Sequence, residues 1–189
     1  PGNPWGIVFD DWGQSLVVDG AGGISYLTPA SIPAKHRLRL DRIGNPGGYC
    51  GVEMINGRHM PESMRGQFVL NDYKSNTVRR FALTPAGSGF KLDWKESVLK
   101  SSHRNFRPVD IRIGPDGAIY IADFYNPIIC HQDDYFRDPT RDLHHGRIWR
   151  LSVKDSLLAP KPKIVGESID ELLEQLKSPE RWTRQQVKF

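Results

Sequence analysis

Three stretches of this chain share one pattern, and that repeat limits the fold more than any other feature. The first runs Pro4-Trp5-Gly6-Ile7-Val8-Phe9, a turn over 10–13, then Ser15-Leu16-Val17-Val18-Asp19. The third runs Pro108-Val109-Asp110-Ile111-Arg112-Ile113, a turn over 114–117, then Ala118 to Asp123. The second, Cys50 to Ile55 and Gln67 to Asp72, carries a longer loop over 56–66. The closing aspartates Asp19, Asp72 and Asp123 stand 53 and 51 residues apart. Each is followed by a further apolar stretch, at 24–27, 78–81 and 148–151. Short alternating apolar runs about Asp-Gly and Trp-Gly turns are hairpin signals. With fourth strands at 37–43 and 92–99, a unit has four strands in roughly 40–50 residues, the period of a propeller blade. An antiparallel sandwich is the competing reading.

The expected fold is therefore all-β. It is a partial, about three-blade β-propeller over 1–152, with four-stranded units near 1–46, 47–101 and 102–152. A linker over 153–167 follows, then a short C-terminal helical hairpin over 168–189. Three blades do not close a ring, since propellers have roughly four to eight. The expected partner is the remaining half of a six-bladed ring, from a longer protein or from a second copy. In the tail, Ser168 and Glu171 have the form of a capping box, and Leu172, Leu173 and Leu176 follow at helical spacing. Ser178-Pro179 reads as the N-cap of a second helix, with Trp182 and Val187 on its apolar face.

Composition excludes several classes. The 8 Phe, 6 Tyr and 5 Trp in 189 residues argue against disorder. No apolar run approaches the roughly 18 residues of a membrane span. The first residue is Pro1, so the lack of a visible leader says nothing of the compartment. Net charge is +4. The cluster Lys35, His36, Arg37, Arg39 and Arg42 reads as a solvated face, and no nucleic-acid partner is expected without interleaved aromatics. Cys50 and Cys130 form no CxxC, so a thiol metal site is not expected, whereas one disulfide is allowed.

Blade geometry places a site without reference to relatives. The loop leading into the first strand of a blade and the loop leaving its second strand lie on one face. That face receives Asn3, Cys50 and Arg107, and the stretches 19–23, 72–76 and 123–146. The last is far the longest, and long irregular loops in compact domains tend to be functional. It carries His131, His144 and His145 with Asp123, Asp133, Asp134, Asp138 and Asp142, a composition suited to metal binding or proton transfer or to a self-satisfied polar loop. Gly6, Glu53 and Asp110 are read as equivalent strand positions near the axis. His59 falls on the opposite face and is demoted as a catalyst, while His103 can sit near the ligand face.

Several motifs resemble one family. Tyr49-Cys50-Gly51-Val52-Glu53, Asn56-Gly57-Arg58-His59-Met60-Pro61, Phe106-Arg107-Pro108-Val109-Asp110, Asp123-Phe124-Tyr125-Asn126-Pro127-Ile128-Ile129 and His145-Gly146-Arg147-Ile148-Trp149-Arg150 resemble the membrane-bound dehydrogenase-type proteins of planctomycetes. In those proteins a six-bladed propeller similar to soluble glucose (sorbosone-type) dehydrogenases precedes HEAT-like repeats and often a c-type haem domain. The resemblance implies an extracytoplasmic oxidation of a sugar or alcohol with pyrroloquinoline quinone (PQQ) and Ca²⁺, and a c-type cytochrome as electron acceptor. No CxxCH occurs, so no haem site is expected in this segment. On that reading His131 and Asp110 are the candidate catalytic groups, with His131 as proton acceptor. Arg107, Arg147 and Asp123 are the candidate cofactor-binding residues, and Asp133 and Asp134 the candidate Ca²⁺ ligands. Arg107, Asp110, Asp123, His131 and Arg147 are expected to converge at one channel mouth. The extracytoplasmic setting would permit a Cys50–Cys130 disulfide. Two other functions compete: a non-catalytic propeller used for binding or assembly, and a Ca²⁺-dependent lactonase-like hydrolase using Glu53 and Asp110.

Overall fold

The computed structural model describes residues 3–20, 23–27, 33, 35, 38–39, 48–87, 89–129 and 137–189. Their strands form three antiparallel sheets, each in chain order. Sheet 1 holds β1 (Pro4–Phe9), β2 (Ser15–Asp19), β3 (Gly23–Leu27) and β4 (Leu38–Arg39). Sheet 2 holds β5 (Tyr49–Met54), β6 (Phe68–Asp72), β7 (Thr77–Ala86) and β8 (Gly89–Lys100). Sheet 3 holds β9 (Pro108–Ile113), β10 (Ile119–Asp123) and β11 (Arg147–Leu151). The four-stranded expectation for the third unit is thus corrected: three strands are present among the described residues. Beyond Leu151 the chain leaves the sheet, and the Val153 N–H donates to His59 Nε2 at 3.1 Å.

The inner strands β1, β5 and β9 lie side by side. They approach closely enough that a Cβ on Gly51 would meet Asp110 Cα at 2.9 Å, and one on Gly6 would meet Gly51 N at 3.1 Å. Gly51 also has φ +58°, where an L side chain is strained. It sits at a register shift between Cys50 and Val52, matched by shifts beside Trp5 and Val109. Such bulges turn a strand at the rim of a barrel-like assembly.

Alternation then fills two cores. Val8, Leu16, Val18 and Ile24 of sheet 1 pack on Val52, Met54, Phe68, Leu70 and Phe81 of sheet 2. The other face of sheet 2, with Val69 and Val78, packs on Ile111, Ile119 and Ile121. The result is a partial propeller-like all-β fold with far more strand than helix.

The tail forms α1 (Ile169–Gln175) and α2 (Arg181–Gln186). The capping box is complete: Ser168 N–H donates to Glu171 Oε2 at 2.8 Å and Glu171 N–H to Ser168 Oγ at 3.4 Å. The second helix starts later than expected. Its N-cap is Glu180, because Ser178 Oγ accepts the Glu180 N–H at 3.1 Å in a local turn ahead of it. α2 docks on the turn side of the blades. The buried Glu180 carboxylate accepts from Arg58 Nε at 3.0 Å, Arg181 donates to the Phe9 carbonyl, and Arg184 meets Asp11 at 3.2 Å. Among the described residues no helix is long and apolar enough to cross a membrane.

Candidate functional site

Each blade closes on one face with the same backbone bond. Gly20 N–H donates to Asn3 O at 2.9 Å, Tyr73 N–H to Gly48 O at 3.0 Å, and Phe124 N–H to Arg107 O at 2.9 Å. This sets the equivalences, and it corrects one. Asn3, Gly48 and Arg107 correspond, so Gly51, not Glu53, occupies the position of Gly6 and Asp110. Glu53 pairs with Val69 as Val8 pairs with Leu16 and Arg112 with Tyr120. A two-residue slip arose because the long 56–66 loop hides the register of the second unit.

Two of the closing aspartates, Asp72 and Asp123, hold this face together. Asp123 is buried. Its Oδ1 accepts the Arg107 and Tyr125 N–H groups, each at 2.8 Å, and its Oδ2 accepts Trp149 Nε1–H at 2.9 Å. Asp72 is likewise buried and accepts from Arg79 Nε at 2.8 Å.

Arg107 is spent in the same way. Its Nε donates to Asn126 O at 2.9 Å, Nη1 to Tyr73 O at 2.8 Å and to Asn76 Oδ1 at 2.7 Å, and Nη2 to Pro127 O at 2.6 Å. The fork that was to clamp a cofactor carboxylate instead ties the exit loop of sheet 2 to that of sheet 3. Burial also lowers its proton affinity, with Arg104 nearby adding to the effect.

Arg147 differs. It is exposed, and its guanidinium carbon lies over the Tyr125 ring at 3.7 Å from the centroid. It makes no hydrogen bond to the described residues, so its N–H edges are open. Tyr125 sits at φ +48°, an unusual backbone state for a bulky residue. Asp123 holds it there, and His103 stacks against its ring at 5.7 Å. His145 stands edge-on to the same ring at 6.4 Å. His145 Nδ1 is 2.8 Å from Asp142 Oδ2. The His144 N–H and then the His145 ring hold the Asp142 carboxyl below the usual carboxylate range. Asp142 is therefore ionised near neutral pH and offers its carboxylate to the His145 ring at Nδ1. A concavity of about 550 Å³ opens beside this group, lined by Phe124, Asn126, Asp142, His144 and His145 among others.

Of the expected residues, Arg107, Asp123 and Arg147 meet at this mouth: Asp123 pairs with Pro108 and with Arg147 across the sheet. Asp110 lies one step away opposite Ala122 and is ion-paired with Arg112 at 3.3 Å. His131, Asp133, Asp134 and Cys130 lie outside the described residues. Cys50 is a buried thiol that donates to Pro108 O at 3.3 Å, and the disulfide expectation falls on Cys130, outside the described residues. Tyr125 and the Asp142–His145 pair were missed as a unit. The Asp-x-x-His spacing of 142–145 was the available signal, and the Tyr125 contact had none. His59 is 1% exposed and structural, held by Ser152 Oγ and Leu157 O, each at 3.1 Å.

Three adjoining antiparallel sheets with all exit loops on one face define a propeller-type all-β protein. The chain belongs to the family described as Domain of unknown function (DUF7133), which matches residues 24–155. Among solved structures it is similar to a glucose dehydrogenase, with 22% identity over 64% of this chain and 37% of that chain and a TM-score of 0.51. A second glucose dehydrogenase gives 16% identity over 80% and 45% of the two chains, TM-score 0.47. An oxidoreductase described as a glucose dehydrogenase from Thermus thermophilus gives 18% over 64% and 36%, TM-score 0.43. At these identities the likeness is one of fold. The chain spans less than half the length of each. No curated protein sequence matches.

Proposed function

We propose that this chain supplies three blades of an extracytoplasmic, oxidoreductase-type propeller that oxidises a sugar or alcohol with a quinone cofactor, in a planctomycete-type dehydrogenase whose HEAT-like repeats begin at α1. The observation that carries the reading is the open Arg147 guanidinium, fixed on Tyr125 at the mouth where Arg107 and Asp123 also meet. A planar guanidinium with free N–H edges suits a carboxylate, which it can bind through two parallel bonds. That fits one carboxylate of PQQ, whereas Arg107 has too few free donors to hold another. When bound, a quinone of this kind accepts the hydride of the alcohol carbon. Tyr125 keeps Arg147 in place, and the His145 ring, held at Nδ1 by Asp142, is the group able to take a hydroxyl proton. Among the described residues no three His, Cys, Asp or Glu side chains gather as a metal site, so the calcium part of the reading rests on Asp133 and Asp134, as the catalytic part assigned to His131 rests on that residue.

The test is a PQQ titration of the full-length protein followed by absorbance, with dye-linked oxidation of a sugar and alcohol panel. Arg147→Gln should weaken quinone binding roughly tenfold or more. His145→Gln should leave binding intact and slow turnover roughly a hundredfold. Absence of quinone binding by the wild-type protein would overturn the reading. The non-catalytic binding module then takes its place, and one observation favours it now: Arg107 and Asp123 are engaged wholly in holding loops.

A further inference from the structure

We propose that His59 is a proton-operated latch: its neutral ring binds the stretch 152–159 that leads out of β11 toward the tail, and a second proton on the ring releases that stretch. This does not depend on the oxidoreductase reading.

One residue supplies four contacts to the stretch. His59 Nδ1 is 3.1 Å from Leu157 O, and Nε2 is 3.1 Å from both Ser152 Oγ and the Val153 nitrogen. The His59 carbonyl accepts the Ser156 hydroxyl at 2.8 Å. Beside these stand the Ala159 N–H on Asp116 O at 2.9 Å, and Val153 at the margin of the second core. Leu157 and Leu158, the side chains best able to anchor the stretch by burial, are 90% and 49% exposed. The attachment is therefore polar and centred on one ring.

The partners of that ring fix its state. A carbonyl only accepts and a backbone N–H only donates. Leu157 O requires a proton on Nδ1, and the Val153 N–H requires a lone pair on Nε2. One neutral tautomer satisfies both. The imidazolium carries N–H at both nitrogens and satisfies only the first. A second proton would set Nε2–H against the Val153 N–H and place a charge on a residue 1% exposed, which is costly without a partner. The 114–117 turn closes the way inward, since a Cβ on Gly117 would meet His59 Cβ at 2.7 Å. The side that yields is the stretch 152–159.

The surrounding charges do not rescue the imidazolium. Its own loop brings two cations, Arg58 and Arg65, the latter donating to the Met60 and Arg58 carbonyls. Asp116 of the turn is paired with Arg150 at 2.7 Å, and Glu180 of the tail with Arg58 at 3.0 Å. The stretch itself carries Lys154 and Asp155, both exposed. Among the described residues no carboxylate bonds to the ring. Because Arg58 holds Glu180 at the N-cap of α2, consecutive residues of one loop seat both ends of the tail. Acid opens the first seat and leaves the second.

The test is amide hydrogen exchange in the full-length protein at about pH 7.5 and about pH 5.5, which span the range where imidazoles ordinarily titrate. Rates are corrected for the intrinsic effect of pH. Protection of the Val153 and Ala159 amides should fall roughly tenfold or more at the lower pH. Ile55, bonded to Gln67 O at the base of the same loop, should keep its protection. His59→Gln keeps an acceptor oxygen but cannot take the proton, so its protection should be equal at both pH values. Nitrogen NMR of the wild-type ring serves where that variant fails to fold. It should show the Nδ1–H tautomer at neutral pH, and protection of the stretch lost in step with ring protonation. Three results would overturn the proposal: equal protection at both pH values in the wild type, the same acid loss in His59→Gln, or an Nε2–H tautomer.

Discussion

Arg107 and Asp123 meet through the Arg107 backbone, not through its charge. The Arg107 N–H donates to Asp123 Oδ1 at 2.8 Å, while the guanidinium turns to the carbonyls of Tyr73, Asn126 and Pro127 and to Asn76. The two residues that composition marks as ligand groups are thus the frame of the mouth. Replacing Arg107 with Gln should cost about 2–4 kcal/mol, since several part-buried acceptors lose a charged donor. Urea unfolding would measure this, and a loss below about 0.5 kcal/mol would return Arg107 to the pool of free cations.

Gly51→Ala should be as damaging for a different reason. The new Cβ would meet Asp110 Cα at 2.9 Å in a backbone held at φ +58°. Two of the three nearest atoms, Asp110 Cα and Ile111 N, are backbone, so β5 and β9 must separate. A stability loss of about 2–4 kcal/mol is expected in thermal unfolding. Gly66→Ala has the same sign of φ but open space around it, and should cost about 1–2 kcal/mol, the backbone term alone.

Two carboxylates should give opposite pH signatures. Burial, ahead of any neighbour, raises the proton affinity of Glu53. The folded state therefore holds the Glu53 proton more tightly than the unfolded state, and stability falls as pH rises from about 4.3 through the raised value. Glu53→Gln should stabilise the protein at pH 7, with the gain fading below about pH 4. Asp116 is the reverse: burial opposes ionisation, but Arg150, the Ala118 N–H and Tyr120 outweigh it and hold the carboxyl low. Its contribution is present above about pH 3.9 and is lost as pH falls through the lower folded value. Asp116→Asn should destabilise at pH 7 and be neutral at about pH 2. Equal pH profiles for the two variants would refute both assignments.

Cys50 should resist thiol reagents while the protein is folded. Burial first, then Asp110 and Asp72, push its thiol up to about 12, and the thiolate is the reactive form. Labelling should be at least about a hundredfold slower in native than in denatured protein. Denatured, unreduced protein should show two reactive thiols; a failure to label both would establish the disulfide instead.

What could be read from the sequence was what is local in it. The alternation of β1, β2, β9 and β10, the Asp10 and Asp116 turns and the Ser168 capping box each involve residues within a few positions of one another. What could not be read depends on donors shared between distant loops. Nothing near Arg107 in sequence announces that Tyr73 and Asn76 take its Nη1, so a satisfied arginine looked like a spare one. The 56–66 insertion concealed the register of β5, which moved Glu53 two places. Asp142 and His145 were visible as polar residues of a long loop. Their importance comes from Tyr125, 17 positions before Asp142, which carries Arg147 above its ring.

The docking of α2 bears on how this chain is made. Arg181 reaches the Phe9 carbonyl across 172 positions, and Arg184 reaches Asp11 across 173. During ribosomal synthesis the first hairpin emerges long before either arginine exists. It must wait for these two contacts until all three sheets and α1 have been made. Long-range contacts of this kind slow folding and lengthen the interval in which apolar strands are open to misassembly. The same two bonds make the finished chain tolerant of a cut: a protease severing the backbone near Val165, which is exposed, leaves α2 held by its side chains to the first hairpin.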